Sequence, residues 1–439
     1  MNGSDTLTMN SDTILRRKHP ALPAWPAWTW GLLLGAAFAV LVLSRKPDVL
    51  LHAELWGDDG WSWYPDAYNL GARSLLLPVN GYLNTFQRLV SLIVQPFPLT
   101  WVPTLFAGVA LVVQVLPALF LVSARMAPLW PQTWARVLFA LIFLVLPNEI
   151  ELYVNLTNAP WNLTLLAFLV LVSAPPVSRS GKVFDALVLL LSGLSGPFCL
   201  ILLPVALLHV LEDRNRTNIW RAGLLCALAL VQICCLLGTP HHGRSTAPLG
   251  AAPRMLARII SLEILLGAEL GFYTISNIYS VPAWRYNALP IAVTAVGAAL
   301  ACLALWRGSS LLRKLAVFAG LVFASALASP QASLSDPQWP LMAQPPMGNR
   351  YYTIPMLAWV AVLITLAADR HRILRCIGMA LLLVMLVWGI PHDWREPPMP
   401  RTDFIARASA FDAAPPGTRM EFPIHPPGLS PMVLVKRAP

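Results

Sequence analysis

The sequence has few charged residues. Only 12% of its 439 residues are Asp, Glu, Lys or Arg, against about 25% in a soluble domain, and 57% are hydrophobic. This composition excludes an ordinary soluble fold and indicates a membrane protein. The apolar runs also lack the alternation of apolar and polar residues that is typical of membrane β-barrel strands. We therefore expect an all-α, polytopic transmembrane helical protein, in which each helix satisfies its own backbone groups.

The sequence also lacks cysteines in its loops, internal repeats and a processing site. The six cysteines all lie inside apolar runs, which fits neither a disulfide framework nor a zinc site. No internal repeat is visible, and this speaks against a secondary transporter built from inverted halves. No small-residue cleavage site follows the first apolar segment, so we predict an uncleaved anchor.

The apolar segments predict about eleven membrane spans, with the N-terminus inside and the C-terminus outside. Several are shorter than the roughly 20 residues that a perpendicular span needs. Either their boundaries are shifted by a few residues, or these helices end inside a cavity lined by protein. The predicted spans lie near residues 28–44, 102–122, 136–147, 161–174, 183–195, 197–211, 219–238, 288–306, 313–329, 352–368 and 374–390.

Orientation follows from the distribution of basic residues. With the N-terminus in the cytoplasm, the cytoplasmic segments carry sixteen basic and six acidic residues, and the outer side carries fifteen of each. The whole net charge of +10 then lies on the cytoplasmic side. Membrane topology therefore explains the excess of basic residues, and we expect membrane lipids rather than nucleic acid as partners.

The larger loops fall on the outer side, where we expect function to lie. Residues 1–390 form the predicted transmembrane domain, with a first outer loop at 45–101 and a central outer loop at 239–287. Residues 391–439 form a short, Pro-rich periplasmic tail. We expect each of the two loops to contain a helix that lies in or re-enters the outer interface, because its apolar stretch carries charges and a further span would break the alternation of charge between the two sides.

Four acidic residues lie close together between positions 54 and 66 of the first outer loop: Glu54, Asp58, Asp59 and Asp66. An enzyme on the outer face of a bacterial membrane has no ATP, so its activated donor must be carried on a lipid, such as a polyprenyl-phosphate sugar. A carboxylate can take the proton of the acceptor hydroxyl. We predict that Asp58 or Asp59 is the base, with Glu54 as a third candidate, while Asp66 caps or orients the loop. The pair could instead hold a divalent ion, Mg²⁺ or Mn²⁺, and the alternative to both is a solvated loop.

Several basic and polar residues on the same side are candidates for substrate binding. We predict that Arg88, Arg285 and Arg350 with Tyr351 hold the donor phosphate. The alternative for each arginine is contact with lipid headgroups.

Aromatic and amide side chains are the candidates for sugar and acceptor binding. Trp61, Trp63 and Tyr82 suit stacking on sugar rings. Asn155 and Asn158 lie in an outer loop without basic residues, which would suit an uncharged glycan. The alternatives are an interfacial aromatic belt and ordinary turn chemistry.

The layout resembles the GT-C superfamily of membrane glycosyltransferases, and more closely a group of bacterial inner-membrane proteins of that architecture. The matching pieces are short and scattered: residues 56–60 (Trp-Gly-Asp-Asp-Gly), 81–83 (Gly-Tyr-Leu), 194–198 (Leu-Ser-Gly-Pro-Phe), 350–351 (Arg-Tyr) and 422–428 (Phe-Pro-Ile-His-Pro-Pro-Gly). The resemblance implies transfer of a sugar from a polyprenyl-phosphate donor to an envelope glycan or lipid acceptor, such as lipopolysaccharide. It also implies an active site on the periplasmic face of the inner membrane, with Asp58 or Asp59 as the catalytic carboxylate.

Two other classes of protein remain open at this point. A transporter or flippase for lipid-linked glycans would place ionisable residues mid-membrane, yet the predicted spans contain almost none. An O-antigen polymerase would concentrate its arginines in two large outer loops, whereas here they are spread along the chain. A non-catalytic scaffold is a further alternative.

Overall fold

The computed structural model describes residues 27–239, 245–426 and 428–438, and they are mostly helical. Five helices are long and apolar enough to cross a membrane, which agrees with a polytopic helical membrane protein. Each carries an apolar run with few charges, the pattern that makes a helix the favoured form in lipid. They are Leu99–Val122, Arg216–Gly238, Ala288–Arg307, Ser310–Ala328 and Arg372–His392.

Shorter helices occupy the other six predicted spans, so a helix lies at each of the eleven positions. Two of them, Ala159–Val172 and Thr353–Ala367, are buried along nearly their whole length. A helix that is apolar on every side is one that is enclosed by its neighbours. Their short length is therefore that of core helices surrounded by protein. The other four are Ala27–Arg45, Thr133–Leu144, Arg179–Gly193 and Phe198–Glu212.

Two helices in the loops predicted to be outer match the predicted interfacial segments in position but differ from each other in burial. Thr85–Val94 is amphipathic, with Phe86 and Val90 buried and Ile93 exposed, as expected at an interface. In the central loop a continuous helix runs through Pro253–Arg258, Ile259–Leu266 and Gly267–Leu270. Its middle is buried against the helices Ala288–Arg307 and Thr353–Ala367, so it enters the bundle and does not lie on its surface.

The segment after residue 391, predicted to be a short Pro-rich tail, folds against residues 45–101. It forms the helix Phe404–Ala413 and an antiparallel hairpin of β1, Arg419–Phe422, and β2, Met432–Val435. Apolar residues at positions 404, 408 and 411 of the helix are buried, and Phe411 packs on Phe422 of β1 with ring centroids 5.5 Å apart. The helical spacing of these residues was present in the sequence and was hidden by the surrounding prolines.

The remaining connections contain short helical segments. These are Asp48–Leu51, Asp59–Trp63, Tyr64–Leu70, Gly71–Leu76, Phe272–Ser280, Pro282–Arg285, Gln338–Met342 and Asn349–Tyr351.

Candidate active site

The acidic motif at residues 56–60 is held by the C-terminal segment. His425 pairs with Trp56 in a parallel bridge: the N–H of His425 donates to the Leu55 carbonyl over 2.8 Å, and the N–H of Gly57 donates to the His425 carbonyl over 2.7 Å. Gly57 has a φ of +50°, a conformation that glycine adopts without steric cost. The chain turns there, and the short helix Asp59–Trp63 begins directly after Asp58.

Asp59 is buried inside this turn, with only 2% of its surface exposed. Its Oδ1 lies 2.7 Å from the Thr157 hydroxyl, and its Oδ2 accepts a 3.4 Å hydrogen bond from the N–H of Trp56. Burial raises the pKa of Asp59 to about 7, although these two hydrogen bonds act in the opposite direction. Both carboxylate oxygens are thus used within the protein, which suits a role in holding the loop in place.

Thr157 connects the acidic loop to the Asn-rich loop. Its hydroxyl also lies 3.0 Å from the carbonyl of Trp56 and accepts a 3.3 Å hydrogen bond from the indole N–H of Trp63. A hydroxyl has one proton, so it donates to Asp59 when that carboxylate is ionised. When Asp59 is protonated, the acid can donate to Thr157, which is then free to donate to Trp56.

Asp58 has the opposite character. It is half-buried and has no hydrogen-bond partner among the described residues. Burial raises its pKa, while the charges of Arg350 and Arg88, in that order, lower it. Asp58 therefore combines an unengaged carboxylate with two guanidinium groups close enough to act on it. These are two of the three arginines that the sequence predicts to hold the donor phosphate.

Arg88 reaches the site from the amphipathic helix Thr85–Val94. Its side chain is 1% exposed, donates a 2.9 Å hydrogen bond to Asp66, and lies 5.3 Å from the centre of the Trp63 ring. Its Nε is buried without a partner in the described structure. Asp66 thus fixes an arginine of the site, while its predicted role, to cap or orient the loop, stays a prediction.

Contacts with a distant motif fix the helix that carries Arg88. The N–H of Thr85 donates to the Leu194 carbonyl, and the N–H of Phe86 donates to the Ser195 hydroxyl, each over 2.9 Å. Gln232, a polar residue within a long apolar helix, accepts from the N–H of Leu83 over 2.9 Å. The Gly-Tyr-Leu and Leu-Ser-Gly pieces of the sequence therefore act together to place this arginine.

Arg350 approaches from the other side and is also held by an acid. Its guanidinium forms an ion pair with Glu151 and donates to the Gln331 carbonyl over 2.9 Å and to the Tyr351 hydroxyl over 3.1 Å. Its backbone N–H donates to the second oxygen of Glu151 over 2.9 Å. Glu151 and Asp66 therefore have the same role, since each fixes one of the two arginines.

Glu54, the third acidic candidate, faces the C-terminal segment. Its two oxygens accept hydrogen bonds from the N–H of Thr402 over 3.1 Å and from the Thr402 hydroxyl over 2.7 Å. This arrangement is a tether between the loop and the segment after residue 391. The structure brings Asp58 and Asp59 together with the arginines and gives Glu54 a different set of partners.

The aromatic candidates divide by exposure. Trp63 is buried beneath Arg88, whereas Trp61 is 46% exposed and donates its indole N–H to the Ser430 carbonyl over 2.7 Å. Tyr82 is half-buried in a tight turn, with its backbone paired to Val79. Trp61 thus has the most accessible ring of the three for stacking on a sugar.

Asn155 and Asn158 use their amide groups inside their own loop. Both side chains donate to the Glu151 carbonyl, over 2.7 and 2.8 Å, and the Asn155 oxygen accepts from the N–H of Asn158 over 2.9 Å. These are the turn hydrogen bonds that were the alternative to acceptor binding, and they fix the loop that carries Glu151 and Thr157. Acceptor binding by either residue stays a prediction.

Phosphate binding by Arg285 and binding of a divalent ion both stay predictions. Arg285 ends the short helix Pro282–Arg285, but its side chain lies outside the part of the structure that is described. A divalent ion also stays a prediction: the described residues contain no group of three or more potential His, Cys, Asp or Glu ligands. In the acidic pair only Asp58 has both oxygens unengaged, so it would supply the binding oxygens together with groups from a substrate.

Sequence reasoning missed three contributors to the site: Thr157, Glu151 and His425. Thr157 lies in an Asn-Leu-Thr triplet with no charged residue, and Glu151 is one acid among many polar neighbours. His425 was visible as part of the Phe-Pro-Ile-His-Pro piece, but nothing in the sequence indicated its partner. No protein-family model matches the chain, and no curated protein shows significant similarity to it.

Thr157→Val is expected to destabilise the fold by about 1–3 kcal/mol, because it removes the hydroxyl that pairs with buried Asp59. Thermal unfolding of the purified protein in detergent measures the change. Thr157→Ser keeps the hydroxyl and is the matched control. A valine variant as stable as the serine variant would show that this hydrogen bond contributes nothing.

The raised pKa of Asp59 predicts how stability changes with pH. The folded protein holds the Asp59 proton up to about pH 7, whereas the unfolded chain releases it near pH 3.8, the ordinary value. This contribution is complete below pH 3.8 and is lost as the pH rises towards 7. Between pH 5 and 8, the unfolding temperature of wild type should therefore fall more steeply than that of Asp59→Asn.

Asp336→Asn, a change at an exposed acid whose carboxylate accepts hydrogen bonds from the Ser333 and Ser335 hydroxyls, is the control and should keep the wild-type slope. Equal slopes for wild type and Asp59→Asn would contradict the assignment of this proton to Asp59.

Proposed function

We propose that the protein is a membrane glycosyltransferase of the GT-C type, which moves a sugar from a polyprenyl-phosphate donor to an envelope glycan or lipid. The observation that carries this proposal is the position of Asp58, a carboxylate without a hydrogen-bond partner in the described structure that lies within reach of the charges of Arg88 and Arg350. The three residues come from separate parts of the sequence. Each arginine is fixed by its own acid, so the arrangement is built around the open carboxylate.

The proposed reaction uses each of these groups. Asp58 accepts the proton of the acceptor hydroxyl, whose oxygen forms a bond to the anomeric carbon of the donor sugar. The bond from that carbon to the phosphate oxygen breaks, and polyprenyl phosphate leaves with the electron pair. Burial raises the pKa of Asp58, which makes it a stronger base than a solvated aspartate. Arg88 and Arg350 stabilise the charge that grows on the leaving phosphate.

Both arginines have donors left for this task. A guanidinium group carries five N–H donors, and the ion pair of Arg88 with Asp66 uses only one nitrogen. The unpartnered Nε of Arg88 is the sort of buried donor that a substrate oxygen would satisfy. Arg350 is more fully engaged, so we propose that it acts on the leaving phosphate and on Asp58 mainly through its charge.

The proposed topology places this site on the outer, periplasmic face of the bacterial inner membrane. With eleven crossings and the N-terminus inside, the acidic loop, the Asn-rich loop, Arg350 and the C-terminal segment all lie on one side. Their hydrogen bonds to one another support a shared side. The arginines of the opposite connections then face the cytoplasm, in agreement with the positive-inside rule.

Reconstitution into liposomes tests the proposal. The purified chain is supplied with labelled polyprenyl-phosphate hexose or pentose and an envelope lipid extract, and the products are separated. Transfer predicts label on the acceptor and release of polyprenyl phosphate. Movement of intact donor between leaflets without cleavage would identify a flippase, and label appearing only in longer diphosphate-linked glycans would identify a polymerase; either result would overturn the proposal.

A further inference from the structure

A cavity of about 610 Å³ lies at the end of the bundle opposite the acidic loop, between Trp130, Trp306, Arg307 and Arg370. The helix Thr353–Ala367 connects the two ends: it begins beside Arg350 and finishes at the cavity wall. Fifteen residues of helix span about 22 Å, so the cavity is separate from the site at Asp58. Its volume is in the range that binds small molecules.

The rim of the cavity is basic. Arg307 donates to both oxygens of Asp369, over 2.6 and 2.9 Å, so this pair is nearly neutral. Arg370 is exposed and has no ion-pair partner in the described ranges. Nearby Arg313 bonds only to backbone carbonyls, those of Leu305 and Gly308. The rim therefore has an excess of positive charge that suits an anionic group.

The walls of the cavity are partly apolar. Trp306 is 77% exposed, and Trp130, Leu129 and Ile364 line the other side. A second, smaller cavity of about 50 Å³ shares Trp130 with the first and continues into the apolar core. Tryptophans at this level are typical of the lipid–water boundary. The site thus places cationic groups at its rim and apolar groups towards the bundle.

We propose that this cavity binds a phospholipid with an anionic headgroup, from the leaflet opposite the acidic loop. The phosphate contacts Arg370 and the edge of the Arg307–Asp369 pair, and an acyl chain lies along Trp130 and Trp306. Charge complementarity at the rim supports an anionic headgroup over a zwitterionic one. The site is independent of sugar transfer and holds whether or not the chain is a glycosyltransferase.

Native mass spectrometry of the full-length protein in detergent tests this binding. The probes are phosphatidylglycerol, phosphatidylcholine with the same acyl chains, and glycerol phosphate as the free headgroup. Wild type should retain phosphatidylglycerol over phosphatidylcholine. Arg370→Gln should lower that retention about fivefold, the effect of one arginine near a lipid phosphate. Ala368→Trp, which fills the cavity from the end of a helix, should lower it at least as far.

Arg179→Gln is the matched control, because Arg179 is an exposed arginine at the start of another helix and does not line the cavity. It should retain phosphatidylglycerol as wild type does. Equal retention of the two lipids, or unchanged retention in both Arg370→Gln and Ala368→Trp, would overturn the proposal. Displacement of the lipid by glycerol phosphate at matched concentration would show a site for soluble anions and would also overturn it.

Discussion

Asp58→Asn is expected to lower the rate of sugar transfer by about 10²–10⁴-fold, the usual contribution of a general base. Asparagine has the same shape as aspartate but cannot accept the proton of the acceptor hydroxyl. The wild-type carboxylate has no hydrogen-bond partner in the described structure and is only half-buried, so the amide leaves no buried group unpaired. Initial rates in proteoliposomes measure the loss, and thermal unfolding should show a protein as stable as wild type.

Asp59→Asn and Asp48→Asn complete the comparison. Asp59 holds the loop through Thr157 and Trp56, so its variant should lose part of its stability along with part of its activity. Asp48, a surface acid of the same loop paired with His52, should be replaceable without loss of rate. Wild-type rates in Asp58→Asn would exclude it as the base. A large loss confined to Asp59→Asn, at unchanged stability, would transfer that role to Asp59.

The helices and the acidic loop were predictable because their signals are local. Apolar runs located the helices at the eleven predicted spans, and the density of acids after the first helix singled out Asp58 and Asp59. The choice between the two acids was not predictable, since it depends on Thr157, which lies about a hundred residues away. The sequence marks an aspartate as a candidate, but only the fold decides which carboxylate is engaged and which is open.

The two arginines illustrate the same limit. Their predicted position near a membrane boundary follows from the amphipathic pattern around Arg88 and from the start of an apolar run after Arg350. Each is fixed by an acid, Asp66 or Glu151, and nothing in the sequence indicated which arginine either acid would pair with. Ion pairs between distant segments depend on tertiary packing, which neither periodicity nor charge counting can provide.

The C-terminal segment was the largest departure from the sequence prediction, and its removal should have an effect comparable to loss of the base. Truncation after Arg395 deletes His425, which pairs with Trp56 and Gly57, and Thr402, which tethers Glu54. We expect transfer to fall by about 10²-fold, since a displacement of about 1 Å in a catalytic group has that effect. Rates per folded molecule, normalised by size-exclusion profile, measure the change.

The contact between Gly60 and Ile424 tests whether transfer depends on the C-terminal segment without deleting that segment. Gly60, next to Asp59, packs so tightly on the C-terminal segment that a Cβ placed there would lie 2.4 Å from Cγ2 of Ile424. Gly60→Ala should therefore push the segment away and lower transfer. Adding Ile424→Ala removes the obstructing methyl group and should restore part of the rate, although Ile424→Ala alone weakens the contact. Such non-additivity is the signature of two residues that act through one contact. If the double variant were only as active as the product of the two single losses, the C-terminal segment would not be positioning the acidic loop through this contact.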